Sequence, residues 1–531
     1  MAGGSLPQLP DSVARVVARG PASGYLSPVR AVVCASIACA WIAGSAGAVR
    51  GEDAAGAADV DADVEDADAE PHWWRAAIEE ASALAAGTTW YWLDRERQVA
   101  DWDYPSVKDR LTFEAWRYDN NPFPINFAWH AFNGTGFHVI ARSNDLSLLE
   151  AAGYGFMTSM AWEYLLEFRE KVSINDVIVT PVTGISTGEL FHWLGVYLNS
   201  SQGNSTGHDI ARWTFAPLHS FHDSLDDRTR RLSRLAERDN LGLTTAIWHR
   251  FRVAYGYGSI AANIPGADDS LQMHEIRLDA RLVAFPGYLR PGALRRGFRE
   301  GNVTSANLRI TPTEDGMGWD FAGDTILAGW HAQDIPADGG LGRAITLGTS
   351  IGYRYRFEKI GAWKDRLGIA ELPGLAVDAD LLGRRWGVHA GARAHADFAG
   401  LHAIPYREWK DANGDAVEKT ILAKHGYYYG WGWSTALTME LSLPRVSLGA
   451  ALHYGRYYSD EGLDRNQEEI LDDIESSDTV RDVEAWLRVA PLGGALYLEA
   501  RVNEQERNAR LDDVSASQSL RRYSIGLGAV F

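Results

Sequence analysis

The sequence predicts a membrane β-barrel of about 12 antiparallel strands preceded by a mostly α-helical domain. Three observations predict it. The chain finishes on Tyr523-Ser-Ile525-Gly-Leu527-Gly-Ala529-Val-Phe531, apolar at every second residue up to a terminal aromatic. That period of two is what a strand with one buried face requires. At the other end, residues 1–48 read as a cleavable signal peptide: Arg15, Arg19 and Arg30 supply positive charge, Ala31 to Gly44 is apolar, and Ala46-Gly47-Ala48 offers a small-x-small cleavage site. The apolar run is shorter than the roughly 20 residues a membrane-spanning helix needs. Finally, 20 Trp, 21 Tyr and 53 Gly occur with no long apolar run after Ala48, a pattern that suits strands with aromatic girdles.

The elements follow in order. Residues 49–71 are nearly all Ala, Gly, Asp and Glu, too polar to bury a core, and are expected as an acidic disordered linker. The alternation Asp59, Asp61, Asp63 lacks the Gly and closing Glu of a calcium loop, so no metal is assigned there. The net charge of −19 excludes a nucleic-acid partner, because phosphates would be repelled. Both cysteines, Cys34 and Cys39, fall in the signal, which leaves the exported chain without a disulfide or thiolate metal site.

Residues 72–201 form the helical domain. A helix is expected over Trp73 to Ala86 and another from about Phe127 to Ala141. A long helix capped by Asp145 or Ser147 should run to about Lys171, and a last one, opened near Ser173 to Asp176 and kinked at Pro181, should end near Leu198. On the long helix Gly155, Ser159, Glu163 and Glu167 recur every fourth residue and so share one narrow stripe, whose small end should let another backbone approach. Gly184 and Gly188 repeat that spacing just before Glu189. If the helices pair, Glu163, Glu167 and Glu189 converge with His130, Arg142 and Asp176. Carboxylates held close to a histidine suit general acid–base work, with Glu163, Glu167 and His130 as catalytic candidates and Arg142, Ser159, Asp176 and Glu189 as binding candidates. The alternative is that the two glutamates pair with Arg142 or Arg169 or face water. Glu189-x-x-His192 has the spacing of bundle di-metal sites, but only one such pair is visible, so neither metal nor cofactor is assigned.

Five blocks in series carry a resemblance. They are Asn126-Phe-Ala-Trp-His130-Ala-Phe-Asn-Gly134, Ala141-Arg142, Ser159-Met-Ala-Trp162-Glu163-Tyr-Leu-Leu-Glu167, Ser173-Ile-Asn-Asp176, and Thr180-Pro181-x-x-Gly184-x-x-x-Gly188-Glu189. Over about Asp119 to Leu198 the chain resembles domain-of-unknown-function family 3943, uncharacterised bacterial envelope proteins. Ala131 stands where the familiar pattern has proline, which changes the local turn. The resemblance implies an envelope protein and supplies no mechanism.

Residues 205–531 read as the outer-membrane barrel, with polar stretches such as Asp411 to Lys419 and Asp460 to Asp478 as extracellular loops. His219-x-x-His222 is a weak metal cue on a non-helical stretch and reads rather as a wet loop. No nucleophile elbow, phosphate loop or dinucleotide fingerprint appears. The expectation is an outer-membrane protein, with lipids and the barrel-assembly machinery as partners. It would be a pore or transport protein gated or plugged by the helical domain. The alternative is an outer-membrane enzyme acting on lipid or envelope material through Glu163 and Glu167.

Overall fold

Two-residue alternation governs the C-terminal half of the computed structural model, which describes residues 70–95, 104–200, 206–226, 244–264, 270–413, 420–460, 474–491 and 494–531. The expected signal peptide, most of the acidic linker and much of the expected loops at 411–419 and 460–478 lie outside these residues. Thirteen strand segments form one antiparallel sheet. They are β1 (Trp248–Asn263), β2 (Ser270–Val283), β3 in two pieces (Gly292–Phe298 and Val303–Thr313), β4 (Gly316–Ile335), β5 (Gly342–Ile360), β6 (Trp363–Gly383) and β7 (Trp386–His402). The remainder are β8 (Tyr427–Ser442), β9 (Val446–Ser459), β10 (Ser476–Val489), β11 (Leu496–Leu511) and β12 (Val514–Val530). Both pieces of β3 pair with β4, so the segments fill twelve positions. β12 pairs with β1 and closes the ring, as the sequence predicts. Main-chain bonds between Phe251 and Phe531 put the first strand's start and the chain's last residue at the same end.

The two faces of each strand differ chemically. Tyr255, Tyr257, Ile276, Leu278, Leu437, Met439, Leu498, Ile525 and Leu527 point outward and are exposed. The residues between them point inward and carry charge. Arg252 reaches Glu440 at 2.7 Å, Arg356 reaches Asp482 at 2.7 Å, and Arg281 reaches Asp378 at 2.9 Å. Each pair joins strands that are not neighbours, so these bonds cross the lumen. They surround a charged cavity of about 330 Å³. At one end, α7 (Tyr406–Asn413) and α8 (Ile421–His425) fold inward, and Trp409 and Leu422 pack on Leu367, Leu401, Tyr428 and Tyr457. At the other end, Phe285 and Tyr288 close over Val283, Val303 and Ile326.

Ahead of the barrel the helices are α1 (Trp73–Trp90), α2 (His130–Ser143), α3 (Leu148–Ala161), α4 (Ile174–Ser200), α5 (Thr206–Phe215) and α6 (Pro217–Leu225), with a single unnumbered turn at Val107–Leu111. Of the two caps expected for α3, Ser147 is the one used, in a full capping box with Glu150. Among the described residues, helix recurs in α5 and α6 past the 201 end expected for the helical domain, and the first strand of the sheet is β1.

The helices lie on the outer wall of the barrel, which corrects the expectation of a plug. Thr325 donates to the Ser186 carbonyl at 2.9 Å, and Thr325 alternates with the lumenal Asp324. Leu190, Trp193, Tyr197 and Leu198 pack on Leu282 and Ala284, whose neighbours Arg281 and Val283 face inward. Near the other end of the wall, the Phe127 ring sits among Phe398 and Tyr429 over Gly368 and Gly400, where any Cβ would overlap it.

Four residues, 299–302, interrupt β3, and the helices dock on this break. Trp193 donates its indole N–H to the Gly301 carbonyl at 3.0 Å, and the Glu300 carboxylate accepts from the Leu148 amide at 2.8 Å. Gly301 has φ +62°, and a Cβ there would meet the Glu189 side chain.

Candidate functional site

Two π-helical turns set the site. One, Ile125–Trp129, runs straight into α2 at His130. The other, Trp162–Leu166, follows α3 and carries Glu163. Such turns re-aim side chains relative to an α-helix and recur at functional sites. The long helix expected to Lys171 therefore ends its α-helical part at Ala161. Val172–Ser173 then pairs in parallel with Trp116–Arg117, and the Ser173 hydroxyl accepts from the Asp176 amide at 3.3 Å as α4 begins.

These elements gather Asp119, His130, Glu163, Glu167 and Asp176. The donor atoms of Asp119, His130 and Asp176 lie within 4.8 Å of one another, and so do those of Glu163, Glu167 and Asp176. His130 Nε2 is 3.4 Å from Asp176 Oδ2. One Glu163 oxygen accepts from the Ser173 amide at 2.7 Å, and Asp176 accepts from the Asn175 side chain at 2.6 Å. Ser159 donates to the Asp176 carbonyl at 3.3 Å. Burial first, then neighbouring carboxylates, hold Glu163, Glu167 and Asp176 well above the usual carboxylate range. Burial also lowers His130 to about 4, against an opposing pull from Asp119, so the imidazole is neutral at pH 7.

Arg142 and Glu189 lie elsewhere, which corrects the expectation of one convergent set. The Glu189 carboxylate meets Arg142 at 2.8 Å and His138 at 2.6 Å, and Arg142 continues to Glu300 at 3.3 Å. Burial pushes Glu189 up, but Arg142, and after it His138, outweigh that and leave it below its ordinary value. This second cluster ties α2, α4 and the β3 break together. Among the described residues, Glu163 and Glu167 form no ion pair with Arg142 or Arg169. Arg142 is held by Glu189, and Arg169 lies over the Trp92 ring at 4.4 Å.

Close backbone approach also differs from expectation. A Cβ on Gly184 would strike the Gly134 carbonyl and one on Gly188 the His138 ring, whereas Gly155 has open space around it. The small residues thus join α4 to α2, whereas the Gly155 stripe meets the start of α4 through Ser159 and not through Gly155.

Sequence reasoning missed Asp119 and His138 as site residues. His138 lies four residues from both Gly134 and Arg142, a stripe that was there to be read. Asp119 sits in an aperiodic stretch that gives no such signal. His219 and His222 prove to be buried and on α6: His219 bonds His192 at 3.0 Å and His222 bonds Glu79 at 2.8 Å.

Chemically, the first cluster can share protons among its carboxyl groups or hold cations between them. The second is an ion-pair network.

A family model agrees with the resemblance drawn from the five blocks. Domain of unknown function (DUF3943) matches residues 115–218. The match takes in the whole carboxylate–histidine cluster and extends through α5 to the start of α6. No curated protein matches the chain. Among solved structures, it is similar to the translocator domain of the autotransporter NalP from Neisseria meningitidis, at 11% identity and a TM-score of 0.20, covering 58% of this chain and 97% of that one. It is also similar to outer membrane phospholipase A from Escherichia coli, as an active-site mutant, at 12% identity and a TM-score of 0.23, covering 52% and 89%. A third is the outer membrane channel DcaP of Acinetobacter baumannii, at 10% identity and a TM-score of 0.20, covering 56% and 99%.

Proposed function

We propose that the protein is an outer-membrane scaffold, closed to solute passage, that works through the helical layer held on its outer wall. One observation carries this reading. The strand residues that hold the helices alternate with lumenal charges that pair across the barrel, as Thr325 does with Asp324 and Ala280 and Leu282 do with Arg281. The same strands that are bridged inside are covered outside.

Two further features support it. The outward residues of the layer, among them Trp129, Phe132, Leu149, Met157 and Leu165, are apolar and exposed, like those of the uncovered strands. Among the described residues no helix is long and apolar enough to cross a membrane. Yet α4 is flanked by α2 and the wall, so its polar side chains are buried in protein and need no lipid-compatible face.

Conductance in planar bilayers tests the reading, comparing the full chain with a form lacking residues 73–200. Neither form should conduct, although both show heat-modifiable barrel migration. A sharp rise in conductance on deletion would restore the plugged pore and sink the scaffold.

A further inference from the structure

Asp119, His130, Glu163, Glu167 and Asp176 make two sets of three donors with one residue in common. Asp176 belongs to both, at the head of α4. Acidic residues in a group do not make a site, but this group has two features that ion pairing does not explain.

The first is a buried oxygen with no donor to accept from, set beside the Asp176 carboxyl. Glu163 is 1% exposed; its Oε2 takes the Ser173 amide, and its Oε1 has no hydrogen-bond partner. A buried carboxylate oxygen is ordinarily hydrogen-bonded or bound to a cation. The guanidinium closest in sequence logic does not supply the bond. Arg110 donates to the main-chain carbonyls of Glu163, Glu167 and Glu170, at 2.7, 3.1 and 2.9 Å. It anchors the π-helical turn and attracts the Glu163 carboxyl through space without bonding it.

The second is the imidazole. His130 offers Nε2 beside Asp176 in a position largely sealed from water. A neutral ring nitrogen among carboxylates adds nothing to their repulsion and gives a borderline ligand to an otherwise hard oxygen set. Both residues are aimed by π-helical turns, one at each side of the cluster.

We propose that these five residues form a binuclear divalent-cation site, with Asp119 and His130 on one ion, Glu163 and Glu167 on the other, and Asp176 bridging. Metal binding releases the protons that burial favours on these carboxyl groups, and four carboxylate ligands with one imidazole then carry four negative charges, which two divalent cations balance. Carboxylates with one imidazole suit Mn²⁺, Fe²⁺ or Zn²⁺ rather than thiolate-seeking metals. Paired ions of this kind are the arrangement used to clamp phosphoryl and ester oxygens, so the chemical class of ligand the site would take is an anionic oxygen group. The inference goes beyond the scaffold reading and does not depend on it.

The test uses the full chain in detergent, stripped with chelator and titrated with Mn²⁺, with bound metal measured by elemental analysis and by electron paramagnetic resonance. About two Mn²⁺ per chain with a spin-coupled signal are expected, falling to about one in Glu163→Gln and His130→Ala and to under about 0.2 in Asp176→Asn. Circular dichroism and heat-modifiable migration check folding. If Asp176→Asn fails to fold, Asp119→Asn takes its place and should retain about one ion. Binding of less than about 0.2 equivalents of Mn²⁺, Fe²⁺ and Zn²⁺ by the unmodified chain overturns the proposal, as does undiminished binding in a folded Asp176→Asn. A protein that conducts yet binds two coupled Mn²⁺ upholds this site while the scaffold reading falls.

Discussion

A single carboxyl group on α1 shows how burial governs the helical layer. Glu80 is 4% exposed and accepts a hydrogen bond from Thr158 on α3. Burial raises its pKa from 4.5 to about 7; the Thr158 bond opposes this and the nearby Glu79 reinforces it. The folded chain therefore keeps Glu80 protonated over a range where the unfolded chain ionises it. The stability this gives is complete below about pH 4.5 and is lost as pH rises to about 7, by at most about 3 kcal/mol. Urea unfolding of the helical layer, followed by tryptophan fluorescence at pH 4.5 and pH 8, should show that loss. Glu80→Gln should reduce the difference by the Glu80 share, with Glu163, Glu167 and Asp176 supplying the rest, and be the more stable chain at pH 8. Equal pH dependence in both chains would mean that Glu80 is not the group responsible.

At the scale of elements, the helices are fastened by glycine. α2 and α4 approach until the Gly134 carbonyl oxygen lies 2.7 Å from where a Gly184 Cβ would stand. Gly184→Ala should therefore force the helices apart and destabilise the layer by about 1–3 kcal/mol. Gly155→Ala, in open space, should cost nothing and gain about 0.5–1 kcal/mol from helix propensity. Limited proteolysis of both variants separates the two outcomes, and equal protection would show that the layer is not held at this contact. The pair also marks what the sequence could reveal. Four-residue spacing identifies both glycine stripes, but spacing cannot say which one meets a neighbour. Likewise the alternation through Tyr523 to Phe531 and the Ser147 cap were legible, because each is local. The π-helical turns at 125–129 and 162–166 were not, since one extra residue in a turn leaves no periodic trace. Three of the cluster's acids and its histidine were named in advance; Asp119 reaches them only through tertiary folding.

For the whole molecule, the unusual feature is a barrel charged within and covered by helices on part of its outer wall. Sequence alternation predicts two strand faces but cannot tell a lipid-covered face from a helix-covered one, since both are apolar. Hence the sequence leaves a helical plug in the lumen and a helical cover on the wall equally open. The lumen fills itself with crossed ion pairs such as Arg356 with Asp482, and the helices take the wall at β2 to β8. If that wall is lipid-facing elsewhere, the outer surface of the layer must meet lipid too. Phe132 is 69% exposed and Met157 64%, values in keeping with Ile525 on the uncovered side at 72%. Nitroxide labels at Phe132→Cys and Met157→Cys, in a chain with Cys34 and Cys39 changed to Ser, should respond strongly to oxygen and weakly to a water-soluble nickel relaxant. Labels at Ile525→Cys should behave the same way, and a label at Ser305→Cys, lining the lumenal cavity, should not. Free access of nickel to positions 132 and 157 would put the helices in water. The layer would then stand clear of the bilayer, and its apolar surface would need another partner.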